Sequence, residues 1–160
     1  MAGLRKATLK DLDVLVLHRR KMWEAMASHT KGELDAADRV YRPWLRARIK
    51  SGRAYAAIIE TPSGQAAASG VMWLQEAHPR PAWEGVQLGY LMSMYTDPRH
   101  RRKGYARRIV KATVKWAKEQ GVDRIALHAS DQGMNVYAAA GFRRTHEMRL
   151  LVSKPARPKR

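Results

Sequence analysis

Between Val86 and Gln120 the order of residue types leaves few choices of fold. Val86 to Thr96 reads as a strand, and Asp97-Pro98 ends it. Cations crowd the turn that follows: seven of the thirteen residues 99–111 are Lys or Arg. From Gly104 through Gln120 the small or apolar residues Ala106, Ile109, Val110, Thr113 and Ala117 form one stripe, and Arg107, Lys111, Lys115 and Lys118 form another. That pattern predicts an amphipathic helix, stopped by Gly121. A strand that enters a helix through a short basic turn calls for a fold of mixed α/β class.

The rest of the chain supplies elements to either side of this unit. Leu4 to Ala7 reads as a short strand, and Thr8 with Asp11 resembles a capping box. Leu12, Leu15, Val16, Met22, Trp23 and Met26 then recur at helical spacing to about Ala27, all read as core positions. Gly32 marks a break, and a second helix is expected over Ala36 to Lys50, with Val40, Trp44, Leu45 and Ile49 or their neighbours inward and Pro43 kinking or dividing it. The turn Thr61-Pro62-Ser63-Gly64 between Ala54–Ile59 and Ala66–Leu74 predicts a hairpin, and Pro79 and Pro81 make Glu76 to Glu84 a loop. Downstream, Arg124 to Ala129 reads as a strand, Gln132 to Ala140 as a short helix, and a last strand is expected within 142–152. The order β-α-α-β-β-β-α-β-α-β predicts one domain over residues 1–152, its mixed sheet centred on the basic strand-turn-helix unit, followed by a mobile basic tail, 153–160.

Composition narrows the partners. The 31 basic and 14 acidic residues leave a net charge of +17, which concentrates anions at the surface. Nucleic acid, an anionic cofactor or an acidic substrate fits that balance, and so does a basic surface that serves only solubility. The chain has no run of 18 apolar residues and no apolar core within Met1 to Lys10, so a cytoplasmic protein is expected. It has no cysteine, and its six histidines lack ligand spacing, so no metal site is expected.

The first turn of a helix presents unpaired N–H groups and partial positive charge, which suits the basic turn to a pyrophosphate or another anion. Neither GxxxxGK with Ser or Thr nor GxGxxG is present, and spacing alone does not name the anion.

Two segments carry a resemblance. Arg101-Arg102-Lys103-Gly104-Tyr105-Ala106 follows the pattern R/Q-x-x-G-x-G/A, and Tyr137 stands four residues before Gly141-Phe142 in the pattern Y-x-x-x-G-F. In this order, around a strand and an amphipathic helix, they resemble the GNAT superfamily of N-acetyltransferases. The resemblance implies a mixed, mostly antiparallel sheet splayed at the centre and flanked by helices. It implies acetyl-CoA as co-substrate, its pantetheine arm paired with main-chain groups of the Met94-Tyr95-Thr96 stretch, chiefly those of Met94 and Thr96, and its pyrophosphate wrapped by residues 101–106. Ser130 stands where many members have a pantetheine-binding asparagine; Asn135 is nearby but off that position.

On that resemblance the acetyl group passes by direct attack to a primary amine in a ternary complex, with Tyr137 protonating the departing thiolate. Without it, Tyr137 reads as a core residue beside Phe142. Glu84, just before the strand, is a candidate base acting through water or a solvated loop carboxylate, and Tyr90 and Ser93 lie on the strand itself. Arg19 shares the stripe of Leu15, Met22 and Trp23, where a guanidinium either finds an internal partner or holds an acceptor carboxylate. The reading from a different class is a basic nucleic-acid or ribosome-binding domain on the same fold, without catalysis. A monomer and a homodimer fit the sequence equally.

Overall fold

The computed structural model describes residues 1–153. Strand β1 (Gly3–Lys6) leads through a 3-10 turn into α1 (Leu12–Met26) and α2 (Lys31–Lys50). The hairpin β2 (Ala54–Glu60) and β3 (Ala66–Glu76) follows, then β4 (Gln87–Thr96), α3 (Tyr105–Glu119), β5 (Ile125–Leu127) and α4 (Met134–Ala139). The strands stand in sequence order in one sheet; the first three pairings are antiparallel and β4 pairs with β5 in parallel.

Helices cover both faces. Ile58 and Val71 pack with Leu15, Tyr41 and Leu45 of α1 and α2, whereas Ile59 and Met72 pack on the α3 side. Burial on both faces explains why β2 and the start of β3 read as apolar runs and not as alternating patterns. Thr8 and Asp11 cap the turn before α1, and Arg5 binds both Asp11 (2.7 Å) and Glu60 (2.6 Å), tying the first strand to the helix entry. Arg5 holds the Asp11 carboxyl well below the usual carboxylate range.

Four expectations require correction. The second helix begins at Lys31, with Gly32 in its first turn, because Thr30 and Glu33 form a capping box that offsets the glycine. Pro43 lies inside α2 without dividing it. Burial on α2 falls on Leu34, Tyr41 and Leu45, and Val40 points outward at 71% exposure; Met26, the last residue of α1, is also exposed. No strand forms within 142–152: β5 offers an edge of only three residues, and Arg143, Arg144, His146, Glu147 and Arg149 interrupt the apolar positions. Arg149 reaches His128 at 3.1 Å without a ladder, and the basic unit therefore lies one strand from the sheet edge. Of the expected tail, residues 154–160 lie outside the described residues. Among the described residues no helix is long and apolar enough to cross a membrane.

Candidate active site

A fork in the sheet organises the site. β4 and β5 pair only at Gly89↔Ile125, Tyr90↔Ala126 and Leu91↔Leu127, after which β4 continues to Thr96 without that neighbour. Just past the last rung β4 carries a bulge: pairing with β3 passes from Val71↔Met92 to Ser69↔Tyr95, two steps on one strand against three on the other. Ser93 takes up the distortion with φ of 52°, a backbone region L-residues seldom occupy.

The extra residue changes which backbone groups face the gap. Gly89 donates its N–H to Arg124 on the β5 side at 2.9 Å, and Asp97 donates to Ala67 toward β3 at 2.9 Å. Alternation along the strand then turns Tyr95 toward β3 and leaves the backbone groups of Met94 and Thr96 on the open side of the fork. The side chain of Tyr95 packs under α1 against His18, and that of Met94 packs toward α3. These strand residues therefore meet the fork through their main chain.

At the end of β4, Asp97 caps the turn by accepting from the Arg99 N–H at 2.9 Å, and it binds the Arg99 guanidinium at 3.0 Å; that guanidinium holds the Asp97 carboxyl well below its ordinary range. Arg102 (φ 61°) and Gly104 (φ 75°) both adopt left-handed backbone, which folds the loop back to start α3. The N–H groups of residues 102–107 donate to no acceptor among the described residues. A side chain built on Gly104 would meet no atom within 4 Å, so this row of donors is open at its centre. Such a row of unpaired amides at a helix start has the donors and partial positive charge that suit an anion cradle.

The cations around it divide by partner. Arg99 is held by Asp97, Arg101 donates to Thr96 O at 3.3 Å, and Arg108 donates twice to Ala2 O at 3.1 Å. Arg102, Lys103, Arg107 and Lys111 have no ion-pair partner among the described residues. Arg107 and Lys111, with Val110, Val114 and Ala140, line a groove of about 650–700 Å³ beside α3 that reaches the end of α4. Tyr105 stacks on His100, and Ala106 is partly buried.

Tyr137 is 8% exposed, packed with Leu91 and Val110 and edge-on to Phe142 at 6.0 Å, so its ring sits against the last rung before the fork. Gly133 makes the room: a Cβ there would come within 2.8 Å of the tyrosine ring. The hydroxyl has no partner among the described residues yet is not sealed from solvent, and burial raises its pKa above the ordinary value. Ser130 accepts from the Gly133 N–H at 3.3 Å, and Asn135 is exposed on α4. Glu84 is exposed in the loop before β4, off the end opposite the basic turn, and its side chain makes no ion pair or hydrogen bond among the described residues. The fork thus gathers the backbones of 94 and 96, the 101–106 turn and Tyr137, and leaves Glu84 outside.

Sequence reasoning missed the opposite face of the bulge. His18 is buried, its Nδ1 2.9 Å from Ser69 Oγ and its ring 4.8 Å from that of Tyr95; burial lowers its pKa to about 4, with Lys21 a lesser cause. Tyr41 Oη lies 3.2 Å from Ser93 Oγ, at the bulge itself. The one signal for this pair is that His18 and Tyr41 lie on the apolar stripes of their helices, where a polar group needs a partner.

Known proteins agree with this geometry. The model of the acetyltransferase (GNAT) family matches residues 19–142. A GCN5-related N-acetyltransferase structure from Ralstonia eutropha JMP134 superposes with a TM-score of 0.85 at 27% identity, covering 98% of this chain and 99% of the other. A predicted acetyltransferase from Clostridium acetobutylicum, solved with acetyl-CoA, gives 0.86 at 26% identity over 94% and 96% of the two chains. The aminoglycoside N(6')-acetyltransferase type 1 of Serratia marcescens is 32% identical over 68 residues, 41% of this chain, and the match spans about half (47%) of that enzyme's length. The family match takes in α2, the whole of β2 to β5 and α4, and the chain belongs to the GNAT acetyltransferase family.

Proposed function

We propose that this chain is an acetyl-CoA-dependent N-acetyltransferase that acetylates a primary amine by direct attack in a ternary complex. The observation that carries the reading is the row of unpaired N–H groups at residues 102–107, open above Gly104, beside a stretch of β4 that has left β5 and in which Arg101 reaches Thr96 O. A polyphosphate fits the cradle, and an amide-bearing arm fits the strand edge. Acetyl-CoA supplies the thioester, whose C–S bond breaks as the C–N bond to the amine forms.

The chain's own residues manage position and protons. The Tyr137 hydroxyl gives its proton to the departing sulfur and recovers one from solvent, to which it is open. Burial keeps that hydroxyl protonated at neutral pH. The amine loses its proton to water, and the exposed Glu84 acts only through a water chain. With no cysteine, the residues at the fork offer no thiol for an acetyl-enzyme, in keeping with direct transfer.

A thermal-shift comparison of CoA with a single-stranded oligonucleotide tests the reading against a binding module on the same fold. At a CoA concentration one hundred times its Kd, the protein gains about 2.7 kcal/mol of stability. Gly104→Asp places a carboxylate in the cradle, and the folded variant is expected to show no CoA protection. Protection by oligonucleotide alone, or equal CoA protection of the variant, overturns the proposal.

A further inference from the structure

Two adjacent arginines of α1 have opposite surroundings. Arg20 binds Asp38 at 2.7 Å, Asp35 at 2.8 Å and Glu24 at 3.3 Å. Arg19, turned about 100° around the helix, has no carboxylate partner among the described residues, and its Nη1 is buried with no hydrogen bond. Its guanidinium lies over the Tyr41 ring, 4.2 Å from the centroid, and 5.8 Å from the centroid of Trp23. Burial depresses its pKa, offset only in part by Tyr41 and Asp38, and the second of these is already engaged by Arg20.

The position of this cation gives it a role. Tyr41 links it to the bulge through Ser93 at 3.2 Å, so one aromatic ring separates the guanidinium from the point where β4 leaves β5. That face of β4 packs against α1 and α2, across the sheet from α3 and Tyr137. Stacking on aromatic rings uses the faces of the guanidinium and leaves its in-plane N–H donors unused. Two in-plane donors match the two oxygens of a carboxylate or phosphate.

We infer that Arg19 receives an oxyanion on the acceptor, so that the substrates of this chain are small amines carrying a carboxylate or phosphate group. The inference rests on the acetyltransferase reading and specifies its acceptor. The acetyl group goes from sulfur to the amine nitrogen as before, and the oxyanion is unchanged by the reaction. Arg19 is a specificity residue; it touches the acceptor away from the reacting atoms.

The test compares matched acceptors with the full chain and saturating acetyl-CoA: amino acids covering the common side chains, their carboxamides, and amino-alkyl phosphates beside the corresponding amino alcohols. Release of free CoA thiol is followed. The parent is expected to prefer the anionic member of a pair, and the carboxylate and phosphate arms show which oxyanion fits. Arg19→Met keeps the apolar stem, and Arg19→Lys keeps charge without the planar fork. Arg19→Met should lower kcat/KM for the anionic acceptor about 10–100-fold, mainly through KM, with neutral acceptors unaffected and Arg19→Lys intermediate. Equal use of neutral and anionic members, turnover of neutral members alone, failure of every anionic member, or an unchanged preference in Arg19→Met overturns the inference. CoA protection against melting, measured on the same samples, separates the two claims: its loss in the parent defeats the acetyltransferase reading, whereas its presence with any of those outcomes defeats only the acceptor assignment. Should Arg19→Met not fold, the parent's own selectivity decides.

Discussion

The two sides of β4 use positive charge in opposite ways. Toward α3, Arg102, Lys103, Arg107 and Lys111 stand at the surface, around amides, and neither these cations nor the amides have a partner among the described residues. Toward α1 and α2 the Arg19 guanidinium lies over the Tyr41 ring and that of Arg48 over Trp44, while His18 pairs with Ser69 and Tyr41 with Ser93. Exposed cations are screened and replaceable one at a time, whereas a buried polar group that loses its partner pays the full desolvation penalty. The open side is therefore built for a ligand that brings its own charge. The closed side is built for a fixed shape around one chosen contact.

The strongest challenge to this division is at Tyr137, the residue of the open side that is itself buried. Tyr137→Phe keeps the ring against Leu91 and Val110 and removes only the hydroxyl. Loss of a general acid typically costs ~10²–10⁴-fold, so turnover should fall by about that factor while CoA affinity and melting temperature hold. Steady-state rates across a pH series check this; an unchanged rate would make Tyr137 a packing residue like those of the closed side.

His18 tests the closed side. Its pKa is about 4 in the folded chain against an ordinary 6.5, so between those values the unfolded chain binds more protons. The stabilisation is complete above about pH 6.5 and is lost as pH falls toward 4, on the order of 3 kcal/mol for a shift from 6.5 to about 4. His18→Gln retains a polar group for Ser69 and cannot titrate. Urea unfolding from pH 7 to 4 should show a shallower loss in the variant; parallel curves would mean that His18 is not held neutral.

The smallest effect belongs to the exposed cations. Arg102→Ala with Lys103→Ala should weaken CoA binding about 5- to 10-fold and flatten its decline with salt, without altering stability. Calorimetric titration at two ionic strengths measures both. A double variant with the parent's affinity and salt slope would place the ligand's charge elsewhere.

Much of the open side was legible in the chain because its signals are local. A strand stopped by Asp97-Pro98, a short basic turn and a striped helix each depend on neighbours within a few residues, and all appear where expected. Local signals failed where another element decided the outcome. Thr30 and Glu33 start α2 ahead of Gly32, and the apolar positions of 142–152 find no adequate edge beside the three residues of β5.

Residue order by itself thus determined the α/β class, the cradle with its cations and the tyrosine paired with Gly141-Phe142, because hydrogen bonding, capping and helix periodicity act over short separations. Only the tertiary structure decided that one bulged residue turns Met94 and Thr96 toward the fork, that His18 meets Ser69 across 51 positions, and that Arg20 takes the carboxylates while Arg19 keeps none. These depend on strand register and on which helix face meets the sheet. A shift of one residue reverses the direction of a side chain, so they are settled only when the whole core packs.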